Sequence, residues 1–433
     1  MRVLNGNRCK ITLAKQKQPT CIFATKKEVL INNSTNSIQR KDARVMKTKA
    51  IPVMLALIVV LSILKMDAFA DPYPWADQKL PPMVLEKHGQ FWAGGQIVKR
   101  TQPGLENDEI LVGQAHVEYF IPQNKHKNAI PIVMTHSEST GRIWLTTPDG
   151  REGWAHFFIR HGFPVYIVDP AGTGHAGFNV DQFNRVKSGL VPPSSQPALG
   201  HNDSSSWEIR NNGPNPRVLG VKDPSCIGND GRGIPPVTCY GWRIANDEEA
   251  YKHYLAVGLP TGPNPTGGTT PGLIAVLEKI GPAIWLGWSD GGLLGGSIVS
   301  SRPELFAALV GVEPKNSCLY EGFSKGAVQI PALSIHSINQ IGRPHESGPP
   351  IRFSRADCEA IYDKINAAGG NATWLSLYDI GIYGNSHMMF WEDNSDKIAE
   401  IILDWIIDEK NKIGGKNKSV SGNMDSGGPM SSR

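Results

Sequence analysis

The sequence is short of several things, and each shortage excludes something. The apolar run Ile51–Leu64 spans fourteen residues, fewer than the roughly 20 that a membrane-spanning helix needs. There is no Cys-x-x-Cys pair and no His-rich tract, so neither a metal nor another cofactor is expected. No internal repeat is evident, which argues against a solenoid or propeller. Basic excess is also missing once the chain is divided. Residues 1–70 hold 13 Lys and Arg against 3 Asp and Glu, while the remainder holds 31 against 37. The bulk of the protein is mildly acidic, and no nucleic-acid partner is expected.

What is present is an ordinary globular composition, 433 residues with 40% hydrophobic and 19% charged, enough for a substantial core. Gly (46) and Pro (32) are somewhat frequent and predict long loops. The N-terminal segment reads as a targeting signal. Met46-Lys47-Thr48-Lys49 is a basic start, Ile51–Leu64 is the apolar stretch, and Ala68-Phe69-Ala70 is a small-x-small cleavage site before Asp71. The expectation is a signal peptide over 46–70, preceded over 1–45 by an upstream, non-structural leader. The product is expected to be secreted or periplasmic, without a stable membrane span after cleavage. Of six cysteines, Cys9 and Cys21 fall in the leader. Cys226, Cys239, Cys318 and Cys358 remain, an even number in an exported chain, and disulfides are expected. Proximity in sequence favours Cys226–Cys239 and Cys318–Cys358.

The periodicity predicts two antiparallel strands, Phe91–Val98 and Ile110–Ile121, and then strands alternating with helices. Strands are expected at Ala129–Met134, Val165–Asp169, Ala283–Leu286, Leu305–Val312, Ala332–His336 and Ala372–Tyr378. Helices are expected at Gly153–His161, Asn246–Val257, Ser354–Ala368 and Asp396–Lys412. This is a mostly parallel eight-stranded α/β sheet with helices on both faces. Residues 71–413 form the domain, and the Gly/Ser/Asn/Lys-rich 414–433 are expected to be a disordered tail. More than a hundred residues separate Asp169 from Ala283, far more than one crossover requires. The excess, about 177–267, reads as a cap inserted before the next strand. Its Trp207, Tyr240 and Trp242 are candidate substrate contacts.

The chemistry centres on Gly287-Trp288-Ser289-Asp290-Gly291. A short apolar strand precedes it and the small-residue helix Gly292–Val299 follows, the setting in which G-x-S-x-G forms a nucleophile elbow. Ser289 needs a base, because a serine hydroxyl is almost wholly protonated at pH 7. His387, in Gly384-Asn385-Ser386-His387-Met388, lies between the last strand and the last helix, where a base for such a serine belongs. The acid that orients it is expected at Glu313, at the end of the strand after the nucleophile helix. Glu346 in the next loop and Asp379 after the last strand are competitors. The oxyanion donors are expected to be the backbone N–H groups of Asp290 and of Glu138, with Ser137 as the alternative.

The set His136…Thr140-Gly141…Trp144, Asp169-Pro170-x-Gly172-x-Gly174, Gly287–Gly291, Glu313-Pro314 and Gly384–Met388 resembles the α/β-hydrolase family. Within it, the chain is similar to exported microbial serine esterases whose acid is a Glu after the sixth strand. The resemblance spans roughly 90 to 410 and implies nucleophile Ser289, acid Glu313 and base His387. Trp144 and Trp288 are further candidates for the substrate pocket. Ser137-Glu138 depart from the family, which commonly has Gly there. The implied activity is hydrolysis of a small-molecule carboxylic ester through an acyl-enzyme on Ser289. An acyltransferase using the same residues, or a non-catalytic binding protein on the same fold, are the alternatives. Oligomeric state cannot be read from the sequence.

Overall fold

The structure is a computed structural model and describes residues 80–100, 103–127, 129–136, 139–196, 198–199, 243, 248–261, 265–315, 318–337 and 355–421. Eight strands form one sheet: β1 Leu85–Lys99, β2 Glu109–Pro122, β3 Ile132–Thr135, β4 Val165–Asp169, β5 Ala283–Trp288, β6 Phe306–Val312, β7 Ala332–His336 and β8 Ala372–Ser376. Their spatial order is β1-β2-β4-β3-β5-β6-β7-β8. β1 pairs antiparallel with β2, and β2 with β4, while every later pairing is parallel. The order runs in both directions from β3 and β5, and in such sheets ligands bind beyond the carboxyl ends of the strands.

The inner strands are buried throughout, which is why they read as continuous apolar runs rather than alternating ones. Along β5 the pleat sends Ile284, Leu286 and Trp288 into one core and Ala283 and Trp285 into the other. The first core is closed mainly by helix α1 (Trp154–Arg160) and the C-terminal helix, and further helices lie between β4 and β8. Those others are α2 Val180–Lys187, α3 Glu248–Ala256, α4 Pro265–Ile280, α5 Asp290–Ser301, α6 Lys325–Gln329 and α7 Arg355–Ala367. Of these, α4, α5 and α7 face the second core, through Leu273, Val276, Ile298, Val299, Tyr362 and Ile365. The C-terminal helix α8, Ser395–Ser421, buries Ile398, Ile402 and Ile406, the four-residue spacing that its amphipathic pattern predicts. Among the described residues no helix is long and apolar enough to cross a membrane.

The expected α/β-hydrolase sheet is therefore present, with small differences in extent. β3 begins after Pro131, which has no N–H to give to the ladder. The backbone leaves the sheet after Ser376 and makes a short 3-10 turn at Tyr378–Ile380. α8 continues through Gly414 and Gly415 to Ser421, where a disordered tail was expected from 414. Glycine in a helix costs only about 1 kcal/mol relative to alanine, which does not by itself end one.

Part of the insertion between β4 and β5 packs into the core. Its α3 packs inward, with Tyr254 and Val257 buried in the first core. Ser139 Oγ donates to the Val257 carbonyl at 3.1 Å, tying the loop after β3 to the end of α3. Trp207, Tyr240, Trp242, Cys226 and Cys239 lie outside the described residues. Cys318 and Cys358 are joined in a disulfide with Cα atoms 5.4 Å apart, linking the segment after β6 to α7.

Candidate active site

At the end of β5 the chain makes the sharp turn that the glycine spacing predicts. Ser289 has φ 55° and ψ −118°, a conformation that L side chains rarely adopt. The turn needs flanking glycines for close approach. A Cβ on Gly287 would sit 2.3 Å from the Gly291 carbonyl oxygen, and one on Gly291 would sit 2.7 Å from Thr135 Oγ1. Ser289 caps α5, so the N–H of Asp290 lies at the positive end of that helix. The Asp290 carboxylate is paired with Lys315 Nζ at 2.8 Å, which offsets a negative charge beside the turn.

β6 lies next to β5 and carries the second strained position. Glu313 has φ 47°, and among the described residues Ser289 and Glu313 are the two non-glycine positions with positive φ. Such strain is retained where surrounding structure enforces it, typically at working sites. The backbone on either side of Glu313 is tied to Ser289: Ser289 N donates to the Val312 carbonyl at 3.0 Å, and Lys315 N donates to the Ser289 carbonyl at 3.0 Å. Glu313 is fully buried, and its Oε1 accepts from Ser337 N. Burial pushes its carboxyl up to about 8 against the lowering effect of the Ser337 hydrogen bonds. Its other oxygen, Oε2, faces His387 Nδ1 at 3.6 Å.

His387 is held from three sides. Trp288 Nε1, on the residue before Ser289, donates to the His387 carbonyl at 2.9 Å, and the two rings lie 5.2 Å apart. The third hold comes from Glu392, which sequence reasoning missed. Its Oε1 accepts from Ser386 N at 2.6 Å and its Oε2 from Asn385 Nδ2. Arg151 Nη2 fixes the Glu392 carbonyl at 2.8 Å. Burial pushes the Glu392 carboxyl up to about 8. A carboxylate five residues beyond a candidate base was the available signal, but spacing alone does not reveal a buried loop clamp. Glu392→Ala leaves the buried Ser386 N–H unpaired, a cost of about 1–3 kcal/mol, and removes one of the two acceptors of Asn385 Nδ2. We expect a fall in thermal midpoint and a fall in kcat of roughly tenfold or more, as that much displacement of a base implies. Thermal melts and steady-state kinetics on the same variant check both.

The loop after β3 is anchored by Asp169 at the end of β4. Asp169 Oδ1 accepts from His136 Nε2 at 2.9 Å and from Gly141 N at 2.6 Å. Burial raises this carboxyl, but the hydrogen bonds from His136, His175 N and Gly141 outweigh it and hold Asp169 below the usual carboxylate range. His136 and Gly141 flank the candidate oxyanion segment; Ser137 and Glu138 themselves lie outside the described residues.

Trp144 has no exposed surface and packs against Trp154 and Phe390, with ring centroids 6.0 and 4.7 Å away. Trp288 is likewise fully buried, and its indole N–H is committed to the His387 carbonyl. Of the competing acids, Asp379 is engaged by Arg355 Nη2 at 2.7 Å, and Glu346 lies outside the described residues.

No family model matches the chain. A fungal protein named "Probable secreted lipase phiG", from Fungal sp. (strain ATCC 74256), is 26% identical over 356 residues, covering 72% of this chain and 90% of that protein. A solved structure described as a novel bacterial esterase is 29% identical, covers 76% of this chain and 97% of its own, and superposes with a TM-score of 0.58. The chain has the α/β-hydrolase fold and is similar to esterases. As a hydrolase it is an enzyme, and the ester-hydrolysing relatives place it among ester hydrolases. In this fold the strained serine, the buried Glu and the clamped His all follow the carboxyl ends of strands of one sheet, after β5, β6 and β8.

Proposed function

We propose that this esterase is an exported serine carboxylic-ester hydrolase working through an acyl-enzyme on Ser289. The observation that carries the reading is the strained Ser289 turn joined to a buried Glu313–His387 pair. His387 takes the Ser289 proton as Oγ attacks the ester carbonyl, then returns it to the leaving alcohol. Glu313 receives the Nδ1–H, fixes the tautomer and stabilises the imidazolium. The Asp290 N–H and a donor from the loop after β3 receive the oxyanion. Water, activated by His387, then releases the acid. The secreted name of the fungal relative and the leader over 46–70 support export.

Stopped-flow mixing with p-nitrophenyl esters of increasing acyl length tests this. A p-nitrophenol burst of about one equivalent per enzyme is expected, and added methanol partitions the acyl-enzyme between acid and methyl ester. A single steady-state phase insensitive to methanol, with hydrolysis fast, contradicts the covalent route.

The pH profile gives a second test. The active state has neutral His387 beside ionised Glu313, one proton fewer than the protonated pair. Glu313 is raised from 4.5 to about 8, so the pair keeps its proton to higher pH, and activity is lost as pH falls through that window. The acid limb of kcat/KM is expected to have its midpoint well above 4.5. A limb at 4.5 or below contradicts the raised Glu313.

A further inference from the structure

The carboxylate that anchors the loop after β3 has a second, outward side. Asp169 Oδ1 is committed to His136 and Gly141. Asp169 Oδ2 faces two imidazoles: His175 Nδ1 at 3.2 Å and His116 Nδ1 at 3.9 Å. The rings of His116 and His175 lie 5.2 Å apart. His175 N–H also donates to Oδ2 at 2.8 Å, which fixes the turn that carries His175.

The protonation of His116 follows from its other neighbour. His116 Nε2 lies 3.0 Å from Gln90 Oε1. An amide oxygen only accepts, so Nε2 carries the proton. Nδ1 is then a bare lone pair in a buried position, directed toward a buried carboxylate. Two electron-rich atoms facing each other across 3.9 Å repel, and a cation between them removes the conflict. The Gln90 contact is also the outer-shell arrangement usual for a metal-bound histidine, whose second nitrogen donates to a carbonyl or carboxylate.

We infer that His116, Asp169 and His175 form a binding site for a zinc-class divalent cation. One ligand atom from each residue lies within 4.8 Å of the other two. Four-coordinate zinc with bonds near 2.0–2.1 Å requires ligand separations of about 3.3 Å, close to the 3.2 Å and 3.9 Å observed. Two imidazoles with one carboxylate favour zinc and its first-row neighbours over calcium or magnesium, which prefer all-oxygen sites. His175 is half exposed, leaving the fourth position open to water. On binding, the proton of His175 passes from Nδ1 to Nε2, and the bond from Nδ1 to Asp169 gives way to one from Nδ1 to the metal. Isolated Cys and His spacing predicts no metal; strands β2 and β4 and the turn at Gly174–Ala176 bring the ligands together only in the fold.

The inference does not rest on the esterase reading, and binding rather than activity tests it. Untagged full-length protein, stripped with chelator, is dialysed against buffered Zn²⁺, and bound metal per chain is measured; Co²⁺ substitution reads ligand geometry by visible absorption. The wild type is expected to hold one zinc per chain and to give the intense bands of four-coordinate Co²⁺. His175→Ala, on a half-exposed side chain, is expected to fold normally by circular dichroism and to weaken zinc binding at least 100-fold. Gln90→Ala is expected to weaken it roughly 10- to 100-fold, the usual effect of losing an outer-shell partner. Absence of stoichiometric zinc in the wild type overturns the site and leaves a hydrogen-bonded His–Asp–His cluster. Unchanged zinc affinity in folded His175→Ala also overturns it, by placing the metal elsewhere.

Discussion

Ser289→Ala is expected to lower kcat/KM on p-nitrophenyl esters by about 10⁵-fold or more, with the fold unchanged. The size follows from what the hydroxyl does. Without it no acyl-enzyme forms, and what remains is the modest acceleration from the oxyanion donors and from binding, on the order of 10³–10⁴ over water in comparable serine enzymes. The fold should survive because alanine meets the same backbone demand as serine at φ 55° and the surrounding glycines are untouched. His387→Ala should cost nearly as much, and the double variant little more, since residues acting as a unit lose activity non-additively. Activity of Ser289→Ala within tenfold of wild type, with a normal circular dichroism spectrum, contradicts the elbow assignment.

Glu313→Gln is expected to lower kcat by roughly 10³ or more, by analogy with the amide substitution of the acid in serine proteases. The geometry gives the reason. Oε1 is bound by Ser337 N, so the glutamine oxygen stays there and its NH₂ turns toward His387 Nδ1. That donor selects the tautomer with Nδ1 bare and Nε2 protonated, which cannot take the Ser289 proton. Stability should move the other way. A carboxyl raised from 4.5 to about 8 contributes stability that is complete below about 4.5 and is lost as pH rises through about 8. The Gln variant has no such loss, so near pH 9 its thermal midpoint should match or exceed wild type. Glu346→Gln, the control, should change kcat by less than about tenfold. The reverse ranking of the two variants moves the acid to the loop after β7.

Much of this arrangement is legible in the residues. Continuous apolar runs identify β5, β6 and β7, because strands buried on both faces have no polar side to show. G-x-S-x-G between strand and helix locates the turn, since only glycine fits the approach of Gly287 to Gly291. Chain order then points to Glu313 and His387. Other features depend on distance in the fold and left no local trace. Glu392 looks like a surface acid beside Asp393, yet it is fully buried and holds Asn385 and Ser386. Trp144 sits beside a predicted oxyanion loop, and it is fully buried against Trp154 and Phe390. Asp169 closes a predicted strand and opens a Gly-rich motif; its role as anchor for His136 and Gly141 needs the parallel pairing of β3 with β4.

The central claim is that Ser289 is the nucleophile, and covalent labelling tests it most directly. The protein is treated with a fluorophosphonate, and its intact mass, residual esterase activity and proteolytic peptides are followed together. One adduct per chain is expected, on the peptide carrying Gly287–Gly291, forming at the rate at which activity disappears and absent from Ser289→Ala. Full activity in a fully labelled enzyme, or an adduct that maps to another residue while activity is lost, contradicts the account.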